Sequence, residues 1–145
     1  MINVDNSVRY GFEFDIDYNV IKNLTYSICG SLSDSRFSPL NRQQLFSPNL
    51  ILNHSLTYAL DKVSLNLNQS IYSKAFIDIE NKYSVPAFST FGFNISYTNK
   101  NYRISLQGNN ITNNRYYFNG YAIANKRYLF PNALSNYFVT IRVTL

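Results

Sequence analysis

Phe12-Glu13-Phe14-Asp15-Ile16-Asp17-Tyr18-Asn19-Val20, a break at Lys22-Asn23, and then Leu24-Thr25-Tyr26-Ser27-Ile28-Cys29-Gly30-Ser31-Leu32-Ser33 is the stretch on which the fold turns. Apolar side chains occupy every second position, and the positions between carry Glu, Asp, Asn, Ser, Thr and Cys. This period of two puts one class of side chain on each face of a strand. Two such runs around a two-residue break predict an antiparallel hairpin.

The pattern recurs down the chain. Leu50, Leu52, His54, Leu56, Tyr58 and Leu60 alternate with Ile51, Asn53, Ser55, Thr57 and Ala59. Asp61-Lys62 reads as a tight turn, after which Val63, Leu65 and Leu67 oppose Ser64, Asn66 and Asn68. Phe91, Phe93, Ile95 and Tyr97 oppose Gly92, Asn94 and Ser96. Asn99-Lys100 turns the chain into Tyr102, Ile104 and Leu106 against Arg103, Ser105 and Gln107. The chain ends on Tyr137, Val139, Ile141, Val143 and Leu145 against Phe138, Thr140, Arg142 and Thr144. Residues 34–48, 74–86 and about 111–134 lack the period and read as long connections, with room for a further strand in 111–134 or 1–8. The prediction is all-β, with about seven strands joined by connections that alternate short and long.

Composition narrows the class. Of 145 residues, 46% are hydrophobic and 17% aromatic, but only 14% are charged, against about 25% in ordinary soluble domains. Aromatic richness excludes a disordered chain. One Cys and one His exclude a disulfide framework and make a zinc centre untenable. No stretch reaches the ~20 apolar residues of a membrane helix. The net charge of +5 comes from 13 Lys and Arg scattered singly, without the basic stripe of a nucleic-acid binder. A sheet with one apolar face and one neutral polar face, short turns at one end and long loops at the other, is the layout of an antiparallel up-and-down transmembrane β-barrel wall. Tyr18, Tyr58, Tyr97 and Tyr102 all fall beside short turns on the apolar face. There they would form an aromatic girdle at the membrane interface, although tyrosine is also simply a good strand residue. Backbone groups in hydrocarbon must all be paired, and single-chain bacterial barrels have an even number of strands from eight upward. About seven strands do not close, so the chain reads as part of a larger wall.

Tyr10-Gly11-Phe12-Glu13, Ser47-Pro48-Asn49, Val85-Pro86-Ala87-Phe88, Asn110-Ile111-Thr112-Asn113 with Arg115-Tyr116-Tyr117, and the terminal alternation Tyr137 to Leu145 follow one another in an order that resembles the C-terminal barrel segment of TonB-dependent outer-membrane receptors. Leu145 stands where that family most often ends on Phe. The resemblance spans residues 1–145 and implies a 22-stranded barrel around an N-terminal plug, in the bacterial outer membrane. It implies uptake of a scarce nutrient of siderophore, cobalamin or glycan type, bound at extracellular loops and plug apices and driven by TonB. A surface lipoprotein is a further partner such receptors use, and no nucleic-acid partner is expected. Nothing in 1–145 resembles a plug, a TonB box or a signal peptide. The expectation is that the remaining strands and the plug come from another part of the protein or another chain.

Candidate site residues divide by position. Arg115, Tyr116, Tyr117, Asn119, Tyr121 and Arg127 fall in the last long loop and suit hydrogen bonding and stacking on a ligand, or packing among the loops. Arg103 and Arg142 fall on the polar face near the short-turn end of neighbouring strands, where plug carboxylates or lumen water would meet them. Glu13, Asp15 and Asp17 form an acidic column on the same face; with no His nearby, a solvated stripe fits better than a catalytic pair. His54 lies on the apolar face without a second metal ligand, and Cys29 on the polar face as a small filler. No catalytic residue, metal or cofactor is expected. Two other architectures fit the same pattern: a self-contained eight-stranded outer-membrane barrel with a structural or adhesion role, and a soluble β-sandwich that binds ligands.

Overall fold

The computed structural model describes residues 6–38 and 40–144. Twelve strands follow in chain order: β1 (Asn6–Ile21), β2 (Leu24–Ser38), β3 (Arg42–Gln43), β4 (Leu50–Leu60), β5 (Val63–Tyr72), β6 (Ala75–Phe76), β7 (Ser84–Val85), β8 (Phe88–Thr98), β9 (Tyr102–Asn109), β10 (Tyr117–Ile123), β11 (Lys126–Pro131) and β12 (Asn136–Val143). The long strands make one antiparallel meander in the order β1-β2-β4-β5-β8-β9-β12, with β3 attached to β2. β6–β7 and β10–β11 are separate two-stranded sheets. Residue pairs at Lys22-Asn23 and Asp61-Lys62 and the segment 99–101 turn the chain at one end. Asp61 takes the left-handed conformation (φ 49°) that its short side chain tolerates. All three long connections lie at the other end.

Register carries the period-two pattern across the sheet. Tyr18, Tyr26, Leu56, Leu67, Phe93, Gly108 and Tyr137 form one continuous row. Asp15, Cys29, Asn53, Ser70 and Thr90 form a row on the opposite face. The apolar face has nothing packed over it: Phe12 is 63% exposed, Ile16 54% and Val139 69%. Among the described residues the only buried hydrophobic side chains are Ala75, Ile77 and Val85, and all three sit in a connection rather than in the wall. A sandwich would bury the Leu, Ile and Phe rows against a facing sheet, so that architecture is excluded. The small-barrel alternative fails too, because β1 and β12 are the two ends of an open sheet and the β10–β11 hairpin does not join it.

On β2 the outward row Leu24, Tyr26, Ile28, Gly30 and Leu32 gives way at Asp34 and Arg36, which form an exposed ion pair at 2.8 Å. Nine residues at about 3.4 Å each, tilted by about 40°, rise roughly 23 Å, close to the ~25 Å apolar band of an outer-membrane barrel. Packing within this face uses rings laid over glycine. A Cβ on Gly108 would collide with the Phe93 ring, which lies across the strand towards Tyr137, with the two ring centres 6.4 Å apart.

The boundaries differ from the sequence expectation at the loop end. Residues 34–38 continue β2 alongside Asn6–Tyr10 of β1 rather than belonging to a loop. The connection 74–86 contains the β6–β7 hairpin, and 111–134 contains β10–β11. Above the apolar band neither face of a strand has to be greasy, so the backbone pairs without a hydrophobic period to announce it. Leu145 lies outside the described residues.

The two faces give opposite responses to charge. Leu67→Lys, on the apolar face, is expected to cost about 2–4 kcal/mol. Ser55→Lys, on the polar face, is expected to stay within about 0.5 kcal/mol. Urea unfolding of the protein reconstituted in lipid vesicles measures both, and equal costs would contradict a lipid-facing apolar surface.

Candidate functional site

The polar face is a wall of small neutral groups. Asn66 Nδ2 donates to Thr57 Oγ1 at 2.8 Å and Asn68 Nδ2 to Asn66 Oδ1 at 3.1 Å. Glu13, Asp15 and Asp17 stand on this face opposite Ser31, Cys29 and Ser27, and Asp17 accepts a hydrogen bond from the Ser27 hydroxyl. Among the described residues no three His, Cys, Asp or Glu side chains come together in a way that could hold a metal. Arg103 and Arg142 are direct register partners on β9 and β12. Arg103 Nη2 reaches Ser96 Oγ at 3.4 Å, and neither arginine has a carboxylate partner among the described residues. Like charges directly opposite one another destabilise a strand pair, so this site calls for a counter-charge.

The three long connections gather into one cap. Phe46 donates its backbone N–H to Phe76 O at 2.9 Å. Asn81 bridges to Gln43, accepting from its N–H at 2.7 Å and donating to its carbonyl at 3.0 Å. Ala75, Ile77 and Val85 form a small core covered by Tyr83, Tyr117 and Leu129. In the exposed part of the cap a hydrogen bond from Lys82 to the Glu80 carboxylate, 2.6 Å away, holds the lysine pKa above its ordinary value.

Where the cap meets the polar face, four rings from three segments assemble. Tyr72 and Phe88, register partners at the loop end of β5 and β8, stack with centres 4.9 Å apart. Phe118 stands edge-on to both, at 5.0 and 4.9 Å, and Tyr116 lies 4.8 Å from Phe88. Phe118 remains 47% exposed. The cluster is an amphipathic aromatic surface at the mouth of the polar wall, suited to stacking on a planar ligand.

Of the loop candidates, Tyr116 joins this cluster. Tyr117 packs on the cap core, and Arg127 donates to Ser84 O at 3.0 Å. Tyr121 stacks on Tyr128 at 5.1 Å. Asn119 hydrogen-bonds the Gly120 N–H at 2.7 Å, and Arg115 lines a cleft with Leu129, Pro131 and Leu134. Tyr72, Phe88 and Phe118 were absent from the sequence-derived candidates. The turn at Asp61-Lys62 sets the β4–β5 register that puts Tyr72 at the loop end, but nothing local marks its meeting with Phe118.

The other singled-out residues also find places. Tyr18, Tyr58, Tyr97 and Tyr102 lie on the apolar face at the short-turn end, the last two with ring centres 5.9 Å apart. His54, also on the apolar face, has Nε2 2.8 Å from Gln69 Oε1 and Nδ1 3.4 Å from the Tyr26 hydroxyl, so the ring is hydrogen-bonded. Cys29 is a free, exposed thiol. Asn110, 4% exposed, closes the base of the last loop. It sits at φ 47°, donates Nδ2 to Asn114 O at 2.9 Å and Ala133 O at 3.3 Å, and accepts from the Asn114 N–H at 3.1 Å.

Residues 1–111 match the family model described as TonB dependent receptor-like, beta-barrel. Among solved structures, the chain resembles the ferric yersiniabactin uptake receptor FyuA from Yersinia pestis (TM-score 0.79, 16% identity, 94% of this chain and 23% of that one). It also resembles the unliganded ferric citrate transporter FecA (TM-score 0.81, 14% identity, 93% and 23%) and the siderophore receptor PiuA from Acinetobacter baumannii (TM-score 0.74, 19% identity, 93% and 21%). At these identities the likeness is one of fold. The chain thus spans under a quarter of the length of each of these structures. A comparison with curated proteins gives no match.

Asn110→Ala is expected to cost about 2–3 kcal/mol by stranding buried backbone groups, concentrated in the last loop. Limited proteolysis should then cut within 111–134 faster than in the parent protein, while the seven-strand wall stays protected.

Proposed function

This chain belongs to the TonB-dependent receptor family as part of its β-barrel, and we propose that residues 1–145 are the C-terminal stretch of the wall of a 22-stranded outer-membrane barrel that imports a scarce nutrient. The proposal includes a plug inside the barrel, TonB as the source of force, the lipid bilayer around the wall, and no catalytic step. A surface lipoprotein over the cap is compatible with it. Tyr18, Tyr58, Tyr97 and Tyr102 take the membrane interface. Glu13, Asp15, Asp17, Arg103 and Arg142 face the plug, whose carboxylates supply the counter-charge that the paired arginines lack.

One observation carries the substrate reading: the ring cluster Tyr72–Phe88–Tyr116–Phe118 at the mouth of a polar wall, beneath loops that lean on one another. A face of this kind stacks on a flat, polar, multiply hydrogen-bonding molecule. Of the siderophore, cobalamin and glycan classes, siderophores agree with the names of FyuA, PiuA and FecA, a ferric yersiniabactin uptake receptor, a siderophore receptor and a ferric citrate transporter.

The test is uptake by cells carrying the full-length receptor, supplied separately with iron-55 siderophores of catecholate, hydroxamate and carboxylate type, labelled cyanocobalamin and labelled oligosaccharides. One class should accumulate only when TonB is present. Phe118→Ala should weaken its binding about tenfold while the receptor remains in the membrane. No TonB-dependent accumulation of any class would remove the transport reading.

A further inference from the structure

A cavity opens on the polar face at the loop end of β1 and β2, about 580 Å³ in volume, lined among others by Arg9, Glu13, Ser33, Phe46 and Ser47. Its construction differs from the rest of the wall. Arg9 Nε donates to Ser35 Oγ at 2.6 Å and Nη2 to Ser47 Oγ at 3.1 Å. Both hydroxyls are buried, Ser35 at 1% and Ser47 at 7% exposure, so the guanidinium is fixed by groups that cannot themselves move to solvent. No carboxylate pairs with Arg9 among the described residues. A guanidinium has five N–H donors; these two bonds leave both hydrogens on Nη1 and one on Nη2, the end-on fork that fits a carboxylate.

The lining also contains an apolar, strained residue beside Ser47. Phe46 adopts φ 54°, a conformation that is an outlier for a bulky residue, and it is held there by its N–H bond to Phe76 O. The residue is nonetheless 46% exposed and borders the cavity instead of entering the cap core. A phenylalanine held in this backbone state is strained, and such residues concentrate at ligand clamps. Gly11 keeps the floor open, since a Cβ there would come within 2.9 Å of Leu32 O. Glu13 lies four residues from Arg9 on the same face, roughly 13 Å away along the strand, and bars a second anion from that end.

We propose that this cavity is a binding subsite for a carboxylate-bearing part of the ligand, the carboxylate held end-on by Arg9 and the attached apolar body set against Phe46. It deepens the transport reading and rests on it only for the identity of the molecule that brings the carboxylate.

The probes are 4-fluorobenzoate and its neutral counterpart 4-fluorobenzamide, added to the full-length receptor in detergent micelles and followed by fluorine NMR line broadening. Arg9→Gln should weaken benzoate binding at least fivefold and leave benzamide unchanged. Arg9→Lys should fall between, and Phe46→Ala should weaken both. If Arg9→Gln does not fold, Ser47→Ala, which keeps the charge but loosens the guanidinium, should weaken benzoate alone about threefold. Benzoate binding that ignores these substitutions would overturn the proposal, as would its absence from the unaltered receptor because a plug carboxylate already holds Arg9. Uptake plays no part in the measurement, so Arg9-dependent binding without transport would sink only the transport reading, and transport without it only the subsite.

Discussion

The pairing of backbone hydrogen bonds in a medium that offers none is the constraint behind this structure. Each of the five interior long strands is bonded on both sides, through registers that run nearly the length of the strand. β1 and β12 are bonded on one side only. In hydrocarbon each unpaired group costs several kcal/mol, so a wall of this kind persists in lipid only with further strands against both edges. The same requirement explains why the long strands form a plain meander. Short turns at one end and long connections at the other let every strand lie beside its predecessor, with no crossover through the bilayer.

Once lipid supplies the apolar environment, the wall needs no interior of its own. Its outward side chains are exposed or half-exposed, and what packing there is runs laterally, as with Phe93 over Gly108. The inward face needs no grease either and is filled with Asn, Ser and Thr. Among the described residues the cap, beyond the apolar band, builds a conventional core, on the scale of Ala75, Ile77 and Val85. Its cohesion comes as much from the crossed bonds of Gln43 with Asn81. Loops tied to one another in this way place the Tyr116 and Phe118 rings over Tyr72 and Phe88, which the rigid wall holds in position.

Legibility in the sequence followed the membrane. Where a strand crosses hydrocarbon, one face must be apolar, and the alternation at Phe12–Val20 or Leu50–Leu60 could be read directly. Where β2 continues past Leu32 into Asp34 and Arg36, that demand lapses and the strand looked like a loop. Cross-strand partners were partly within reach. A two-residue turn at Asp61-Lys62 pairs Leu60 with Val63, and counting back from it sets Gln69 opposite His54. The arginine pair on β9 and β12 could be placed on one face, but the connection before β12 is too long to count across. The ring cluster and the Arg9 cavity were not legible, because each joins wall residues to loop residues whose approach depends on how the cap folds.

The abundance of asparagine has two physical causes. On the inward face it supplies neutral hydrogen-bonding surface, as Asn66 and Asn68 do. In the turns and the cap it supplies backbone states that other residues resist: Asn41, Asn81, Asn110, Asn113 and Asn125 all have positive φ, a region where the short polar side chain bonds locally. Asn110 combines both uses, turning the chain and saturating the carbonyls that the turn would strand. Against that background Phe46 and Ala124 are the exceptions. Phe46 sits in that region of backbone space with no polar side chain to offset the strain, and it remains 46% exposed. A residue chosen only for chain geometry at that position would be asparagine or glycine. The phenyl ring therefore calls for an explanation outside chain geometry, and the cavity it borders, with a fixed cation in the same lining, is where the structure offers one.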